Sequence, residues 1–555
     1  MELAEIYDFR DEDWDSMEEA REDFEWRLPD TFNPGRFLVD RWAEESGERT
    51  ALQYRDETAG VSGTSTYAQV RDQTNQLANY FQEAGLEAGD RVALNVPNKR
   101  EILLSYVAAW KLGAIPVPLS TLYGPDALEY RLTDSGAELA VVDECNVDNF
   151  RAAPSPDVRQ VLTVGDVDRQ DDEAPFWDRL ERGSTDFESV DIGIEEPVLL
   201  PYTSGTTGDP KGVLIANRGI IAQMPGMQLH VFNNDHRDGD VLWGPGEFTW
   251  SGVISLLVGA WWNGIGLGIV ETGESFDPET AYRTIEEFGV THAFLPATAL
   301  RMMRKVNDPT ERYDLSSFRL IGSGGEALGV ETANWVREAF DVTIHEGYAQ
   351  TELWNLVIGD CTALEEFMPG YMGSTLPGHD PTVVDPTTRE PVSEGEVGEL
   401  AFNRDDPVVL LEYWNDPERT AQKFHHDLVL TEDLVVKEDG QFRFVSRADD
   451  VIISSGYRIG PDEVEDSLAD HSKVVDAGVI GIPDDERGSV VKAFVSLGDG
   501  VAETESVRED LQSHVRDNLA AYEYPREIEI VEDLPRTTTG KVRRSELREW
   551  EGVSK

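Results

Sequence analysis

Short apolar runs alternate with amphipathic segments along much of the chain. The run RVALNV at 91–96 is typical of a buried strand, and EILLSYVAAWKLGA at 101–114 has the length and spacing of a helix. The stretches IPVPLS, DALEYRLTDSG and AELAVVD then repeat the order of strand, helix and strand. This alternation predicts an α/β protein built around a parallel sheet.

Later parts of the chain add further strands. VTHAFLPAT, FRLIGSGGEAL and VTIHEGYAQTE each look like a strand that ends in a polar loop, while GEVGELAF and FRFVSRADD indicate a β-rich region before residue 450. VVDAGVIGIP and VVKAFVSL supply separate strands near the C-terminus. We therefore predict a large N-terminal domain over 1–448, with parallel sheets and a β-rich subdomain, and a small α+β domain over 449–555.

The sequence gives little sign of a membrane or secreted protein. The most apolar stretch, 253–270, contains Asn263 and four glycines, which favours a buried helix that turns into a strand. The acidic N-terminus MELAEIYDFRDEDWD lacks the apolar core of a signal peptide. Cys145 and Cys361 are too few for a disulfide framework. We expect a cytoplasmic protein without stable membrane insertion.

The charge balance changes the expected environment. The 555 residues include 108 acidic and 48 basic side chains, a net charge of −60, and only 10 of the basic residues are lysine. The acids are spread along the chain, so the protein would repel itself in dilute buffer, whereas molar salt shortens the Debye length to about 3 Å. The large negative charge therefore predicts a salt-rich, halophilic cytoplasm. It also argues against nucleic acid or an anionic membrane as the main partner.

One loop has the composition of a phosphate-binding site. YTSGTTGDPKG, at 202–212, follows a predicted strand, where ligands sit in open α/β sheets. Its glycines allow backbone N–H groups to approach an anion, and its hydroxyls add donors. A Walker loop is excluded because Pro210 precedes Lys211 and Gly212 follows it. A simple turn at a strand end remains the structural alternative for this loop taken alone.

Taken with other stretches, this loop resembles the acyl-adenylate-forming superfamily. The same order of motifs continues with GYAQTE (347–352), SRADDVIISSGYRIGPDEVE (446–465) and LPRTTTGKVRRSELRE (534–549). MPGYMGS, SSGYRIGP and YEYPREIE look more specifically like medium-chain acyl-CoA synthetases. The resemblance runs from about residue 33 to residue 549, nearly the whole chain.

The resemblance implies an acid–thiol ligase that works in two steps. A carboxylic acid would attack the α-phosphate of ATP to give acyl-AMP and pyrophosphate, and CoA would then take the acyl group and release AMP. The fold implied is a large adenylate-forming domain with a small mobile C-terminal domain that swings at a hinge, Asp449. ATP and CoA would be co-substrates and Mg²⁺ the cofactor.

Resemblance also assigns the nucleotide site. Thr351 would contact the α-phosphate, Glu352 would hold Mg²⁺, and Arg458 would meet the phosphate of the adenylate. Lys541 would be the adenylation lysine, within RTTTGKVRR, a stretch with four basic residues and no acid. The remaining ATP- or AMP-binding residues implied are Thr203, Ser204, Gly205, Thr206, Thr207, Gly208, Lys211, Gly325, Glu326, Glu346, Gly347, Tyr348, Ala349, Gln350, Asp433 and Arg447.

Four residues implied by the resemblance keep an open question or a structural alternative, which for Lys541 is a solvated basic face. Asp433 would accept the ribose hydroxyls, but its motif reads TED, with Glu432 where the family has glycine, so the local backbone geometry is open. A solvated surface acid is the alternative for Glu352, and a structural salt bridge is the alternative for Arg487. The residues implied for CoA are Ser455, Gly456, Tyr457, Arg487, Tyr524, Pro525 and Arg526.

The acyl pocket is expected to be deep. Acetate-specific relatives carry a tryptophan immediately before the QTE motif, and this chain has Ala349 there. Each additional buried CH₂ contributes about 0.8 kcal/mol to binding, so we expect acetate to be poor and short- to medium-chain fatty acids to be better. Trp250 is expected to form another wall, with an ordinary core position as its alternative. The stretch LWNLVIGD (353–360) departs from the usual TG continuation and leaves the pocket shape open.

Two other functions compete with this interpretation. A peptide-synthetase adenylation module would normally carry an Asp in 247–252, where this chain offers only Glu247. A non-catalytic nucleotide sensor would not need the whole set of candidate catalytic residues. The sequence leaves open whether the protein is a monomer or a homo-oligomer, and whether residues 1–30 form an arm on the main domain or a contact with another subunit.

Overall fold

In the computed structural model, the pattern from residue 91 onward forms a parallel sheet with helical connections. The structure describes residues 14–203, 210–273, 276–448, 450–454, 457–484, 487–498, 500–519, 523–537 and 541–553. The strands of this sheet, in spatial order, are β4 (Ile115–Pro118), β3 (Arg91–Asn95), β5 (Leu139–Asp143), β6 (Gln160–Val164) and β7 (Glu173–Pro175). Its helices are α4 (Arg100–Leu112), α5 (Pro125–Ser135), α6 (Val147–Ala152) and α7 (Phe176–Leu180).

The helix predicted at 101–114 is confirmed as α4. It ends at Leu112 because Gly113 takes a left-handed conformation, with φ of 80°. Such a C-terminal glycine stops a helix at low steric cost. Buried residues occur all round α4, from Ile102 to Leu112, which explains why its sequence is apolar beyond a single face.

A second sheet joins the nucleotide-binding strands to the β-rich region. Its parallel part holds β1 (Thr50–Asp56), β12 (Gly266–Glu271), β11 (Val241–Trp243), β13 (His292–Phe294), β14 (Leu320–Gly324) and β15 (Thr343–Gln350). β2 (Val61–Thr66) pairs antiparallel at one edge. The β-rich strands continue the sheet from β15 and are antiparallel, and they comprise β16 (Asn355–Gly359), β17 (Ser374–Thr375), β18 (Thr382–Val384), β19 (Gly398–Asn403), β21 (Phe424–His425), β22 (Leu428–Glu438) and β23 (Gln441–Arg447).

Helices and helical turns cover this second sheet. They are a π-helical turn at Arg36–Asp40, α2 (Arg41–Ser46), α3 (Tyr67–Glu83), α8 (Arg218–Ala222), a π-helical turn at Gly226–Val231, α9 (Ser251–Trp262), α10 (Pro278–Phe288), α11 (Ala297–Met303), α12 (Pro309–Arg312), α13 (Val330–Phe340), a 3₁₀ turn at Thr351–Leu353 and α14 (Pro417–Lys423). The prediction of a buried helix that turns into a strand over 253–270 is confirmed by α9 and β12. Across the described ranges we find no helix with the length and apolar character needed to span a membrane.

A small antiparallel sheet carries the flanks of the phosphate-binding loop. It contains β8 (Pro197–Leu199), β9 (Tyr202–Thr203), β10 (Lys211–Ala216) and β20 (Glu412–Tyr413). β9 and β10 pair with Lys211 opposite Thr203, so the two ends of the loop lie side by side.

The C-terminal region folds around its own sheet. Its strands are β24 (Ile452–Ser454), β25 (Tyr457–Ile459), β26 (Val474–Asp484), β27 (Gly488–Leu497) and β28 (Glu527–Val531), and its helices are α15 (Pro461–Ala469), α16 (Glu505–Asn518) and α17 (Arg544–Trp550). Two apolar clusters in it draw only on residues from Ile452 onward. The boundary between residues 448 and 449 stays a prediction, and Asp449 lies outside the described residues.

The N-terminal arm, residues 14–34, packs on the same chain. Its helix α1 (Met17–Asp23) is capped by Ser16, and buried Phe24 belongs to the main apolar cluster. The Trp26 indole N–H donates to the carbonyl of Gly378 over 2.8 Å, and Arg21 donates to the carbonyl of Thr375 over 3.0 Å. For this described part, the open question about residues 1–30 is answered in favour of an arm.

Candidate functional site

A cleft of about 2040 Å³ lies where the two predicted domains face each other. Its lining includes Lys211 at the end of the phosphate-binding loop, Glu352 after β15, Asp433 on β22 and Lys541 from the C-terminal region. These residues are far apart in sequence. The fold therefore brings most of the predicted nucleotide residues to one place.

Beside the loop, a short chain of contacts links Lys211 to Glu352. The Lys211 ammonium lies 5.2 Å from the centre of the Tyr413 ring, and the Tyr413 hydroxyl donates to Glu352 Oε1 over 2.7 Å. Burial raises the pKa of Glu352, but Lys423, this hydroxyl and Lys211 together outweigh it, so the pKa is lowered. Glu352 is therefore an ionised carboxylate at neutral pH. The loop residues Ser204, Gly205, Thr206, Thr207 and Gly208 lie outside the described residues.

Asp433 is buried in a ring of donors. Its Oδ2 accepts hydrogen bonds from the Tyr348 hydroxyl and from Gln350 Nε2, each over 2.6 Å. Arg447, opposite it on β23, lies 3.3 Å from Oδ1. Burial raises the pKa of Asp433, although Arg447 and the two donors oppose this effect. The structure thus brings four predicted nucleotide residues into direct contact.

Glu432, the departure from the family motif, keeps a backbone suited to glycine. Its φ is 64°, in the left-handed region. Its N–H donates to Glu399 Oε1 over 3.0 Å, and its carboxylate accepts from Arg447 Nη2 over 2.8 Å. Glu432 therefore adopts a conformation that favours glycine, and it shares Arg447 with Asp433.

Residues that follow β14 and residues on β15 form one wall of the cleft. Gly325 has φ of 86°, and a Cβ there would lie 3.3 Å from the Trp250 indole. Glu326 accepts from both the N–H and the hydroxyl of Thr298, over 2.7 and 2.8 Å. Glu346 accepts from the N–H of Leu328 over 3.1 Å, and burial raises its pKa to about 7.

Lys541 reaches the cleft from the C-terminal region. Its backbone exchanges hydrogen bonds with Thr537: Lys541 N–H donates to the hydroxyl over 3.1 Å, and Thr537 N–H donates to the carbonyl of Lys541 over 2.8 Å. The side chain keeps exposed surface in the open cleft, while protein from both sides surrounds it. Reduced hydration lowers the pKa of the ammonium, and Glu326 and Asp433 act in the opposite direction.

Among the described residues, two ion pairs connect helix α15 to the predicted N-terminal domain. Arg443 Nη1 on β23 lies 2.8 Å from Glu463 Oε1, and Arg301 Nη2 on α11 lies 3.8 Å from Asp466 Oδ1. Both ion pairs are present in the same structure in which Lys541, from the C-terminal region, lines the cleft.

Of the residues predicted for CoA, those whose side chains the structure describes do not line the cleft. Arg487 pairs with Asp484 at 3.8 Å, as the structural alternative anticipated, and its N–H also donates to that carboxylate. The Tyr524 ring lies 4.3 Å from the Arg526 guanidinium, and the carbonyl of Pro525 accepts from Gln512. Ser455 and Gly456 lie outside the described residues, as do the side chains of Tyr457 and Arg458, whose backbone forms β25.

The part of the cleft that the sequence predicts to hold the acyl chain lies around Trp250 and Ala349. The Trp250 ring centre is 6.4 Å from that of Phe294, and the neighbouring Ser251 hydroxyl lies 3.2 Å from that of Thr351. Both Trp250 and Ala349 are half-buried and line the cleft. Glu247, considered for an amine substrate, accepts from the hydroxyls of Ser120 and Thr249.

Sequence reasoning missed three residues of the site. Tyr413 and Lys423 lower the pKa of Glu352, and Leu356 lines the cleft opposite Ala349 on the neighbouring strand. Only Lys423 carried a usable signal: it is one of the 10 lysines in a chain whose other basic residues are arginine. Tyr413 and Leu356 have no distinguishing local pattern.

The chain is similar in sequence and in structure to known AMP-binding enzymes. The family model described as AMP-binding enzyme matches residues 39–414, and the one described as AMP-binding enzyme C-terminal domain matches 463–541. The acetyl-coenzyme A synthetase of Bacillus subtilis is 32% identical over 92% of this chain and 89% of its own length. The human mitochondrial acyl-coenzyme A synthetase ACSM4 is 32% identical over 95% of this chain and 92% of its own. The crystal structure of the anthranilate CoA ligase AuaEII with anthranoyl-AMP superposes with a TM-score of 0.86, at 27% identity, over 95% of this chain and 98% of that one.

Proposed function

We propose that this chain activates short- to medium-chain fatty acids in preference to acetate. The chain belongs to the AMP-binding enzyme family and is an adenylate-forming enzyme of the acyl-CoA synthetase type. The observation that carries the proposal is that Lys541, Asp433 and Glu352 meet in one cleft whose acyl side is lined by Ala349. This supports adenylation beside an acyl pocket in which position 349 carries a methyl group rather than an indole.

In the first step, a carboxylate oxygen of the acid forms a bond to the α-phosphorus of ATP, and the bond to the bridging oxygen breaks. Pyrophosphate leaves with that electron pair, and no proton is transferred. Both reactants are anions, so cations must offset their repulsion. Lys541 and Thr351 would contact the reacting carboxylate and α-phosphate, with Arg458, and Lys211 would hold the leaving pyrophosphate. The polar side chains around Asp433 would fix the nucleoside.

Mg²⁺ fits the residues present. The described residues contain no group of three or more side chains that could hold a metal ion by themselves. Mg²⁺ is commonly bound through one or two carboxylates together with substrate phosphates. Glu352 supplies one ionised carboxylate near Lys211, where the phosphates would lie. Bound there, the ion would neutralise charge on the phosphate oxygens.

In the second step, the CoA sulfur forms a bond to the acyl carbonyl carbon, the bond to AMP breaks, and the thiol proton is released. Lys541 would have to leave the cleft for Ser455, Gly456 and Tyr457 to approach it. The predicted hinge at Asp449 would allow this swing. The position of Arg487 and Tyr524 away from the cleft supports such a change, because these residues would contact CoA only after the domain has turned.

The names of relatives do not decide the chain length, since they include both acetyl- and other acyl-CoA synthetases. Ala349 supports the longer acids, because its methyl group leaves room for methylenes, each of which contributes about 0.8 kcal/mol when buried. We also propose a salt-rich cytoplasm as the working environment, on the basis of the net charge of −60.

The test is CoA-dependent AMP formation with acids from acetate to octanoate in molar KCl. We expect butyrate to octanoate to give higher kcat/KM than acetate, and the reverse order would overturn the chain-length proposal. Free amino acids belong in the same panel, because their preferential activation would favour the peptide-synthetase alternative.

The role of Lys541 is tested by Lys541→Ala, with Lys473→Ala as control. Lys473 is also in the C-terminal region, but it pairs with Asp510 outside the cleft. We expect the first variant alone to lose pyrophosphate release, by about 100-fold or more, while both form thioester from supplied acyl-AMP. Full adenylation by Lys541→Ala would contradict the assigned role.

A further inference from the structure

Leu356 lies directly beside Ala349 on the acyl side of the cleft. In the hairpin of β15 and β16, Ala349 is paired with Leu356 across the two antiparallel strands. Directly paired residues place their side chains on the same face of a sheet. Leu356 therefore projects to the same side as Ala349, and it is 6% exposed in the lining of the cleft.

Glycine next to Ala349 makes room for this leucine. A Cβ at Gly347 would lie 2.7 Å from Leu356 Cδ2, and 2.9 Å from Cε1 of the fully buried His230 behind it. The isobutyl group of Leu356 thus occupies the space above Gly347 that a side chain at 347 would otherwise take. The missing indole at 349 is partly replaced by an aliphatic group from the next strand.

The turn that carries Leu356 is fixed in place. Trp354 is 1% exposed, and its indole N–H donates to the carbonyl of Ser251 over 3.1 Å. Its φ is 32°, in the left-handed region that a tryptophan rarely adopts. A residue held this way near a binding site is a common sign of a functional constraint. Here it prevents the start of β16 from moving aside for a longer ligand.

We propose that Leu356 is the residue that sets the upper length of the acyl chain. This inference rests on the proposed function and deepens it, because Ala349 admits acids larger than acetate and Leu356 ends the pocket. Removing its side chain would extend the pocket toward His230. Burial lowers the pKa of His230 well below its usual range, so that the ring is neutral and tolerates an apolar neighbour.

The matched pair of variants is Leu356→Ala and Ile358→Ala. Ile358 is an isomeric side chain on the same strand and is fully buried. The strand pairing shifts register between Tyr348 and Ala349, so Ile358, which is paired with Tyr348, faces the other side of the sheet although it lies only two residues from Leu356. Ile358 does not line the cleft. The readout is the ratio of kcat/KM for dodecanoate to that for butyrate, measured in one preparation. A ratio is independent of how much of each variant folds.

Leu356→Ala should raise this ratio about tenfold or more relative to the wild-type protein, since each accommodated methylene is worth about fourfold. Ile358→Ala should leave it within about twofold of the wild-type value, and Leu356→Phe should lower it. An unchanged ratio in Leu356→Ala, or an equal rise in both alanine variants, would overturn the proposal for Leu356. If the wild-type protein activates no acid, the proposed function itself fails, which is a different result.

Discussion

Glu432 lies in the left-handed region of backbone conformation, with φ of 64°, immediately before the aspartate proposed to bind the ribose. A left-handed backbone costs a non-glycine residue about 1 kcal/mol. In return, its half-exposed carboxylate holds Arg447. Exposed ion pairs of this kind contribute about 0–1 kcal/mol, so the contact does not clearly offset the strain.

Two substitutions at this position separate strain from charge. Glu432→Gly relieves the strain and Glu432→Ala keeps it, while both remove the ion pair. We expect the glycine variant to be more stable by about 1 kcal/mol and to melt at the higher temperature. Thermal unfolding followed by circular dichroism in molar KCl measures the difference. Equal melting temperatures would mean that residue 432 is not strained.

Glu346 should make stability depend on pH. Burial raises its pKa from 4.5 to about 7, so the folded protein binds this proton more strongly than the unfolded chain does. The stabilisation is fully present below pH 4.5 and is lost as the pH rises to about 7. It amounts to about 3 kcal/mol.

Glu346→Gln keeps a hydrogen-bond acceptor for Leu328 but cannot titrate. Melting temperatures from pH 5 to pH 8 should therefore fall less in this variant than in the wild-type protein. Parallel curves for the two proteins would be evidence against a raised pKa at Glu346.

At the scale of elements, Arg544 fastens helix α17 to helix α15. Its guanidinium contacts Asp462 at 2.7 Å, Glu465 at 2.6 Å and Asp450 at 3.1 Å. The side chain is 12% exposed, and it is the shared cation of these acids, although Asp450 also pairs with Arg548 at 2.5 Å. Because Lys541 precedes α17 by only a few residues, the position of the adenylation lysine depends on this attachment.

Arg544→Met should leave three carboxylates without their shared cation. Breaking a buried ion pair from one side costs about 3–5 kcal/mol, so the C-terminal region should melt at a lower temperature and pyrophosphate release should fall. Arg543→Met is the control, because the neighbouring Arg543 is half-exposed and pairs only loosely with Glu546 at 3.5 Å. The two proteins are compared by calorimetry and by pyrophosphate release. Equal losses in both would show that position 544 has no special role.

The elements differ in how far the sequence determines them. Strands such as β3 and helices such as α4 were predictable because their pattern of apolar residues is local. The antiparallel hairpin of β15 and β16 was not, because the stretch after the QTE motif has no turn signal that distinguishes a returning strand from a loop. The arm was equally hidden, since its binding surface near Gly378 is more than 300 residues away.

The site follows the same rule. Motif residues such as Asp433 and Lys541 could be found from short ordered stretches, and the fold brings them into one cleft. Tyr413 and Lys423 come to Glu352 only through tertiary packing across about 60–70 residues. No local pattern encodes that distance, so these contacts could be recognised only in the folded chain.

The whole molecule combines a strongly negative surface with a few well-placed lysines. Among the 10 lysines, Lys99, Lys111, Lys423 and Lys492 are buried, and Lys211 and Lys541 line the cleft. The remaining charge is dominated by 108 acidic residues. Most of the described lysines therefore lie where a compact cation contacts a specific group, which fits a surface that is dominated by acidic side chains.

The melting temperature should rise as KCl increases from about 0.1 to about 2 M, because the Debye length then falls from about 10 Å to about 3 Å and surface repulsion is screened. Sucrose at matched osmolality should give a smaller increase, since it leaves the charges unscreened. Calorimetry in the two series measures the effect. A protein that is most stable at low salt would contradict the proposed high-salt environment.

The N-terminal arm also determines where the gene can be shortened safely. The family match begins at residue 39, yet the buried side chains of Met17, Phe24 and Phe32 come before it. Expression from a start at residue 39 would uncover the apolar surface beneath the arm and leave the carbonyl of Gly378 without its indole donor. Such a product would tend to aggregate, even though every motif of the family would still be present in it.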